Sequence, residues 1–226
     1  MECARVFDLT LTFDNGPEPD VTPRVLDILK AHDIRTTFFV IGAKLADPAR
    51  RRLAVRAHDE GHWIGNHTFT HTVPLGQQRD PAAAENEIDR TQAAIGDLAH
   101  PSRWFRPFGG GGHLDDRLLK PSVVDHLVRN RHSCVLWNAI PRDWDDPAGW
   151  TLRALDQCRA QAWTLMVLHD LPSGAMDHLE DFIDRAGRCG ARFRQDFPLE
   201  CVPIRSGEIV RPLDAYVSAI AERSEP

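Results

Sequence analysis

Residues Leu11–Pro17 read Leu-Thr-Phe-Asp-Asn-Gly-Pro and end the chain's first apolar strand pattern. A carboxylate (Asp14) and a carboxamide (Asn15) therefore stand side by side where a strand stops and a turn begins. Further on, His67-Thr68-Phe69-Thr70-His71 carries two imidazoles four positions apart. On a helical turn that spacing puts both rings on one face. A carboxylate near two convergent imidazoles can make a metal centre with a general base beside it. Each piece also has a plainer reading: Asp14 as a turn former, one histidine as a cap of the next turn. Asn15 is the odd member, because a second carboxylate there would be the stronger metal ligand.

Three more stretches carry reactive side chains. Phe105-Arg106-Pro107-Phe108-Gly109-Gly110 ends an apolar segment with a cation, a proline and glycines. Arginine there can grip a carboxylate through paired hydrogen bonds. A glycine-rich loop lets backbone N–H groups approach a substrate oxygen, as an oxyanion hole requires; it reads equally as a flexible turn. Arg142-Asp143-Trp144 sets an acid beside an indole that can face a sugar, although the indole alone reads more readily as core. Leu165-Met166-Val167-Leu168-His169-Asp170 is an apolar strand that ends in a histidine, a placing suited to a general acid. His32, His58, His100, His126, His132 and His178 are read as surface or helix-face residues; His62 and His113 stay open.

The elements that must position these groups follow a recurrent order of short apolar strand, turn and helix. Strands are expected over Val6–Phe13, Thr36–Ile41, Trp63–Asn66, Trp104–Arg106, Cys134–Ala139, Thr164–His169 and Ala191–Phe193. Four helix starts share a capping residue followed by proline: Thr22-Pro23, Asp47-Pro48, Asp80-Pro81 and Asp146-Pro147. Strands alternating with helices imply an α/β fold with parallel βαβ units, here a distorted (β/α) barrel of about seven strands. The reactive residues fall at the C-terminal ends of strands, where α/β barrels build their active sites. One domain is expected over 1–226, with its core over 5–196 and a C-terminal hairpin and helix over 197–226.

Composition narrows the function. The 226 residues are 42% hydrophobic, with net charge −6 and no basic stripe, which argues against a nucleic-acid partner. Arg50-Arg51-Arg52 reads as a solvated helix face. No apolar run reaches membrane-spanning length, and Met1–Arg5 leads straight into a strand with no leader pattern. A cytoplasmic location is expected. Five cysteines, an odd number without Cys-x-x-Cys spacing, suit free thiols rather than a disulfide framework. Nothing in the sequence specifies an oligomeric state.

Taken in order, Thr-Phe-Asp-Asn-Gly, His-Thr-x-x-His, Arg-Pro-Phe-Gly, Asp-Trp and Val-Leu-His-Asp resemble the polysaccharide deacetylases, the NodB-homology enzymes of carbohydrate esterase family 4. The resemblance runs from about residue 7 to 170. It implies hydrolysis of an N-acetyl group on a sugar, oligosaccharide or glycan with one divalent metal ion, zinc first, with cobalt, manganese or nickel as alternatives. It implies Asp14 as base, His169 as acid, Arg106 orienting the base and Asp143 tuning the acid. Asn15, His67 and His71 match the metal positions, Asn15 where most members carry Asp, so weaker metal binding is expected. Phe108 matches an oxyanion-hole donor, with Gly109 next to it; Trp144 matches a groove aromatic and Val167 an acetyl-pocket residue. Most members read Arg-x-Pro-aromatic-Gly, and the motif here is one residue shorter. Two other readings are an amidase of the same fold acting on a small non-sugar amide or ureide, and a non-catalytic carbohydrate-binding homologue.

Overall fold

Strand β1 (Phe7–Asp14) lies next to one end of the strand order of a curled, mainly parallel sheet. The computed structural model describes residues 6–219. All but one of the β1 side chains are buried, as expected of a parallel strand covered on both faces. β1 pairs along its length with β6 (Trp163–His169) and, near its end, with β2 (Thr37–Val40). Its first half also pairs with β7 (Ala191–Arg194). Beyond β2 lie β3 (Trp63–Asn66), β4 (Trp104–Phe105) and β5 (Ser133–Cys134). The hairpin of β8 (Ile204–Arg205) and β9 (Glu208–Ile209) adds an antiparallel edge to β5. The seven expected parallel strands are thus β1–β7 among the described residues.

The strand expected over Cys134–Ala139 is regular only at Ser133–Cys134. Beyond it, the Val135 and Leu136 carbonyls accept from the Arg106 guanidinium, at 3.3 Å each, rather than from a neighbouring strand. Asn138 adds side-chain bonds to the backbone ones it makes with β6, accepting from Leu165 N at 2.7 Å and donating to Trp163 O at 3.0 Å. A single bridge, Ala139 to Met166, then brings this segment beside β6 and nearly closes the barrel.

The helices among the described residues are α1 (Thr22–Ala31), α2 (Pro48–Asp59), α3 (Arg90–Ile95), α4 (Pro121–Arg129), α5 (Trp150–Arg159) and α6 (Leu179–Arg188). Asp47 caps α2 as expected, accepting from Ala49 N at 2.8 Å, an arrangement worth about 1 kcal/mol. The other three starts differ. Thr22 lies inside α1 and does not cap it; its hydroxyl accepts from Glu18 N and donates to Asp170. Asp80 and Asp146 each cap a turn, accepting from Ala82 N and Gly149 N, and the helices begin after those turns. Of the expected last helix, the described residues show a short 3-10 turn at Asp214–Tyr216; its remainder falls in residues 220–226, outside the described part. Among the described residues no helix is long and apolar enough to cross a membrane.

Candidate active site

β1 alternates Leu9, Leu11 and Phe13 with Thr10, Thr12 and Asp14. Successive strand residues face opposite sides, so the second set shares one face. That face carries the site. Asp14 ends β1, and its register partner on β6 is His169. The two groups lie on adjacent strands, both nearly buried (3% and 9% exposed).

Asp14 is gripped by Arg106. The guanidinium, wholly buried, donates from Nη1 to Asp14 Oδ1 at 2.8 Å and to Thr12 Oγ1 at 2.6 Å. It also lies over the Phe39 ring at 4.1 Å. The grip on Asp14 is single-pronged, because the other guanidinium nitrogens serve Val135 and Leu136. Asp14 Oδ2 faces His67 Nε2 at 3.6 Å.

The two histidines converge, but not on a helical turn. Thr68 (φ 66°) and His71 (φ 53°) are both left-handed, and the loop between them turns His71 back onto His67. Their Nε2 atoms stand 3.1 Å apart. His67 Nδ1 lies 2.8 Å from the Arg106 carbonyl, to which it donates, leaving the Nε2 lone pair facing the cleft. Burial pushes His67 down to about 3, and burial followed by the His67 charge lowers His71. Both rings are therefore neutral at pH 7, the form that binds metal.

His169 has the opposite tuning. Burial lowers it, yet the Asp143 hydrogen bond and the charges of Asp143, Asp14 and Asp170 together outweigh burial and raise it above the usual imidazole value. Trp144 meets the His169 ring edge-on at 4.8 Å. The indole is half-buried and lines the cleft, so the core reading of Trp144 does not hold.

The cleft measures about 250 Å³. Asp14, Asn15, His67, His71, Phe108, Gly109, Trp144, Val167 and His169 all line it, as do Trp137 and Ile140, which the sequence reading did not single out. Arg106 and Asp143 sit behind it. The Phe108 ring packs on His71 at 3.9 Å between ring centroids. Among the described residues, the Phe108 and Gly109 N–H groups have no hydrogen-bond partner. Gly109 is required where it is: a Cβ would press against the Trp137 ring and the His113 carbonyl.

Other histidines lie elsewhere. His62 is buried at the opposite end of the strands, where its Nδ1 accepts from Thr36 N at 3.1 Å. His113 does not line the cleft. His126 and His132 are buried, against the surface reading: His126 turns inward from α4 to meet Asp89 at 2.9 Å, and His132 leads into β5. Arg50 is not fully solvated either, since it reaches back to Glu18 and the Pro17 carbonyl behind the Asp14-Asn15 loop.

Donors for a divalent cation can be looked for among the residues of the cleft. Among the described residues no three His, Cys, Asp or Glu side chains gather as a ligand set. The groups that could serve are two imidazole Nε2 atoms and the Asn15 carboxamide oxygen, which is buried without a hydrogen-bond partner. Two nitrogens and a neutral oxygen suit a borderline metal such as zinc or cobalt, with solvent completing the shell.

Known proteins that resemble this chain are polysaccharide deacetylases. The polysaccharide deacetylase family model matches residues 3–121. A chitooligosaccharide deacetylase of Rhizobium leguminosarum bv. phaseoli is 35% identical over 174 residues, covering 72% of this chain and 67% of the relative. A peptidoglycan-N-acetylglucosamine deacetylase of Bacillus cereus is 28% identical over 191 residues, covering 82% of this chain and 66% of the relative. The chain spans about two thirds of the length of these curated relatives. A deacetylase structure solved with substrate superposes with a TM-score of 0.69 at 28% identity, covering 86% of this chain and 91% of that one.

Proposed function

The chain belongs to the polysaccharide deacetylase family, and from that premise we propose that it hydrolyses the acetamido group of an N-acetylated sugar, with Asp14 as base and His169 as acid. The observation that carries the reading is the pairing of Asp14 with His169 at the ends of β1 and β6. Each has a different buried partner, Arg106 for the carboxylate and Asp143 for the imidazole. Arg106 orients the Asp14 carboxylate by hydrogen bonding, while Asp143 favours the imidazolium of His169, so base and acid are served by separate partners.

Arg106 occupies Asp14 Oδ1 and leaves Oδ2 toward the cleft to accept a proton from water. Asp143 fixes Nδ1 of His169, so its Nε2 is the atom that gives a proton to the leaving amine. The unpartnered N–H groups of Phe108 and Gly109 are the available backbone donors for the oxyanion. Val167, Trp137 and Ile140 supply apolar wall to receive an acetyl methyl. A divalent metal on His67, His71 and Asn15 would supply carbonyl polarisation and acidify a water.

The cleft volume is below that of pockets that enclose a drug-sized ligand. A longer glycan would thus present one residue and lie along the rim with the rest. The test is acetate release from chito-oligosaccharides and peptidoglycan fragments, with metal-free protein and with added zinc or cobalt. Metal-dependent acetate release supports the reading. Ammonia release from a small ureide, with no acetate from any sugar, would replace it with the small-amide reading.

A further inference from the structure

The loop that carries both histidines is strained, since a β-branched residue (Thr68) and His71 both adopt left-handed backbone. Such conformations persist only where the surroundings over-determine them. Here five backbone groups of Thr68, Phe69 and Thr70 have identified partners. The Thr68 and Phe69 carbonyls accept from Gly42 N at 2.9 Å and Ala43 N at 3.0 Å. Thr68 N donates to Asn66 Oδ1 at 3.1 Å. Phe69 N and Thr70 N both donate, at 2.9 Å, to one oxygen of Glu87, and the Thr70 hydroxyl donates to the other at 2.7 Å.

Glu87 is 6% exposed and lies within a π-helical turn, Glu85–Asp89, just before α3. π-helical turns are rare and concentrate at functional sites. This one addresses the loop from several positions. Besides Glu87, the Ile88 carbonyl accepts from Asn66 Nδ2 at 2.8 Å, and Arg90 lies over the Phe69 ring at 3.8 Å. Gly42 closes the other side, where a Cβ would strike Thr91 and Phe69.

We infer that Glu87 is a positioning residue for the metal site: its carboxylate clamps the Phe69 and Thr70 amides and so holds His71 against His67 in a ligand-competent arrangement. The clamp rests on the proposed role of the two histidines as metal ligands, although the order of the loop itself does not. A glutamine can make the same contacts. Its oxygen takes both amides, and its NH₂ donates to the Thr70 hydroxyl, which can turn to Thr72. Alanine can make none.

The experiment titrates metal-free wild type, Glu87→Ala and Glu87→Gln with Co²⁺ by calorimetry and visible absorption, and follows amide exchange at Phe69 and Thr70. Groups that orient metal ligands are worth about 10- to 100-fold in affinity. Glu87→Ala is therefore expected to weaken Co²⁺ binding by that factor and to speed exchange at both amides, with unchanged far-ultraviolet circular dichroism. Glu87→Gln should restore both. Wild-type affinity in Glu87→Ala overturns the inference, and so does a Glu87→Gln variant as weak as Glu87→Ala. If wild type itself takes no Co²⁺, the metal reading fails, and exchange alone decides whether the clamp exists. Should Glu87→Ala not fold, Glu87→Asp replaces it: the charge is kept, the reach is one methylene shorter, and undiminished Co²⁺ binding would overturn the clamp.

Discussion

Asp143 holds His169 at two points: one carboxylate oxygen accepts from Nδ1 at 2.8 Å and the other from the His169 backbone N–H at 2.8 Å. The ring and the strand end are fixed by one side chain. The raised His169 value makes the imidazolium the acid form up to a pH above the usual imidazole range. Activity is therefore lost as pH rises through that raised value. Asp143→Asn should move the alkaline limb of the kcat–pH profile downward by about one unit or more. An unmoved limb would show that Asp143 does not set the acid.

Arg106 is wholly buried and pairs with buried Asp14. Arg106→Met strands a carboxylate in the interior, and breaking a buried pair in this way costs about 3–5 kcal/mol. Adding Asp14→Asn should recover part of that loss, because the charge left behind is removed. Asp14→Asn alone keeps a hydrogen bond, since an amide oxygen still accepts from Arg106, but leaves the buried guanidinium without its counter-charge, so it should fold with reduced stability and should abolish turnover. Urea denaturation of the three variants is the check. Arg106→Met unfolding like wild type would mean that Asp14 does not need its partner.

Asn15 contributes a neutral oxygen. A carboxylate in its place adds an attraction to a bound cation of about 1–4 kcal/mol, depending on local screening. Asn15→Asp should tighten zinc or cobalt binding by roughly tenfold or more. The left-handed backbone at residue 15 is tolerated by Asp as well as Asn. Equal affinity in calorimetry would show that residue 15 is not a ligand.

Asp170 lies behind the same loop, hydrogen-bonded by Thr22, and leaves no room for a Cβ at Gly16. Burial pushes its carboxyl up to about 7. A raised value means that the folded state holds the proton more firmly than the unfolded state. The stability linked to this group is full below the ordinary value of 3.8 and is lost as pH rises through about 7. Asp170→Asn mimics the protonated form, so its melting temperature should fall less than that of wild type between pH 5 and pH 8. Parallel pH profiles would count against a buried, proton-holding Asp170.

The parts of the site that sit on regular strands were legible in the sequence. Asp14 and His169 end apolar runs, and the period of two brings Thr12 onto the face of Asp14, a signal that could have singled out Thr12 as an Arg106 partner. What escaped was set by tertiary context. Glu87 lies in the charged stretch Glu85-Asn86-Glu87, which the sequence reading did not single out, and a π-helical turn buries it. The strand expected over Cys134–Ala139 stops early because Arg106, a residue distant in sequence, takes its carbonyls. His67 and His71 meet through left-handed loop backbone rather than the helical face that their spacing suggests.

β1 is bonded to β2, β6 and β7, so the strand bearing Asp14 is the most enclosed in the sheet. Away from that strand, Ile140, Trp144 and Leu171 line the cleft from segments between the regular elements. Reaction and recognition are thereby inherited separately. Mutation at the rim can revise which glycan is accepted while the proton-transferring pair stays in register, and drift toward a new substrate need not pass through an inactive intermediate.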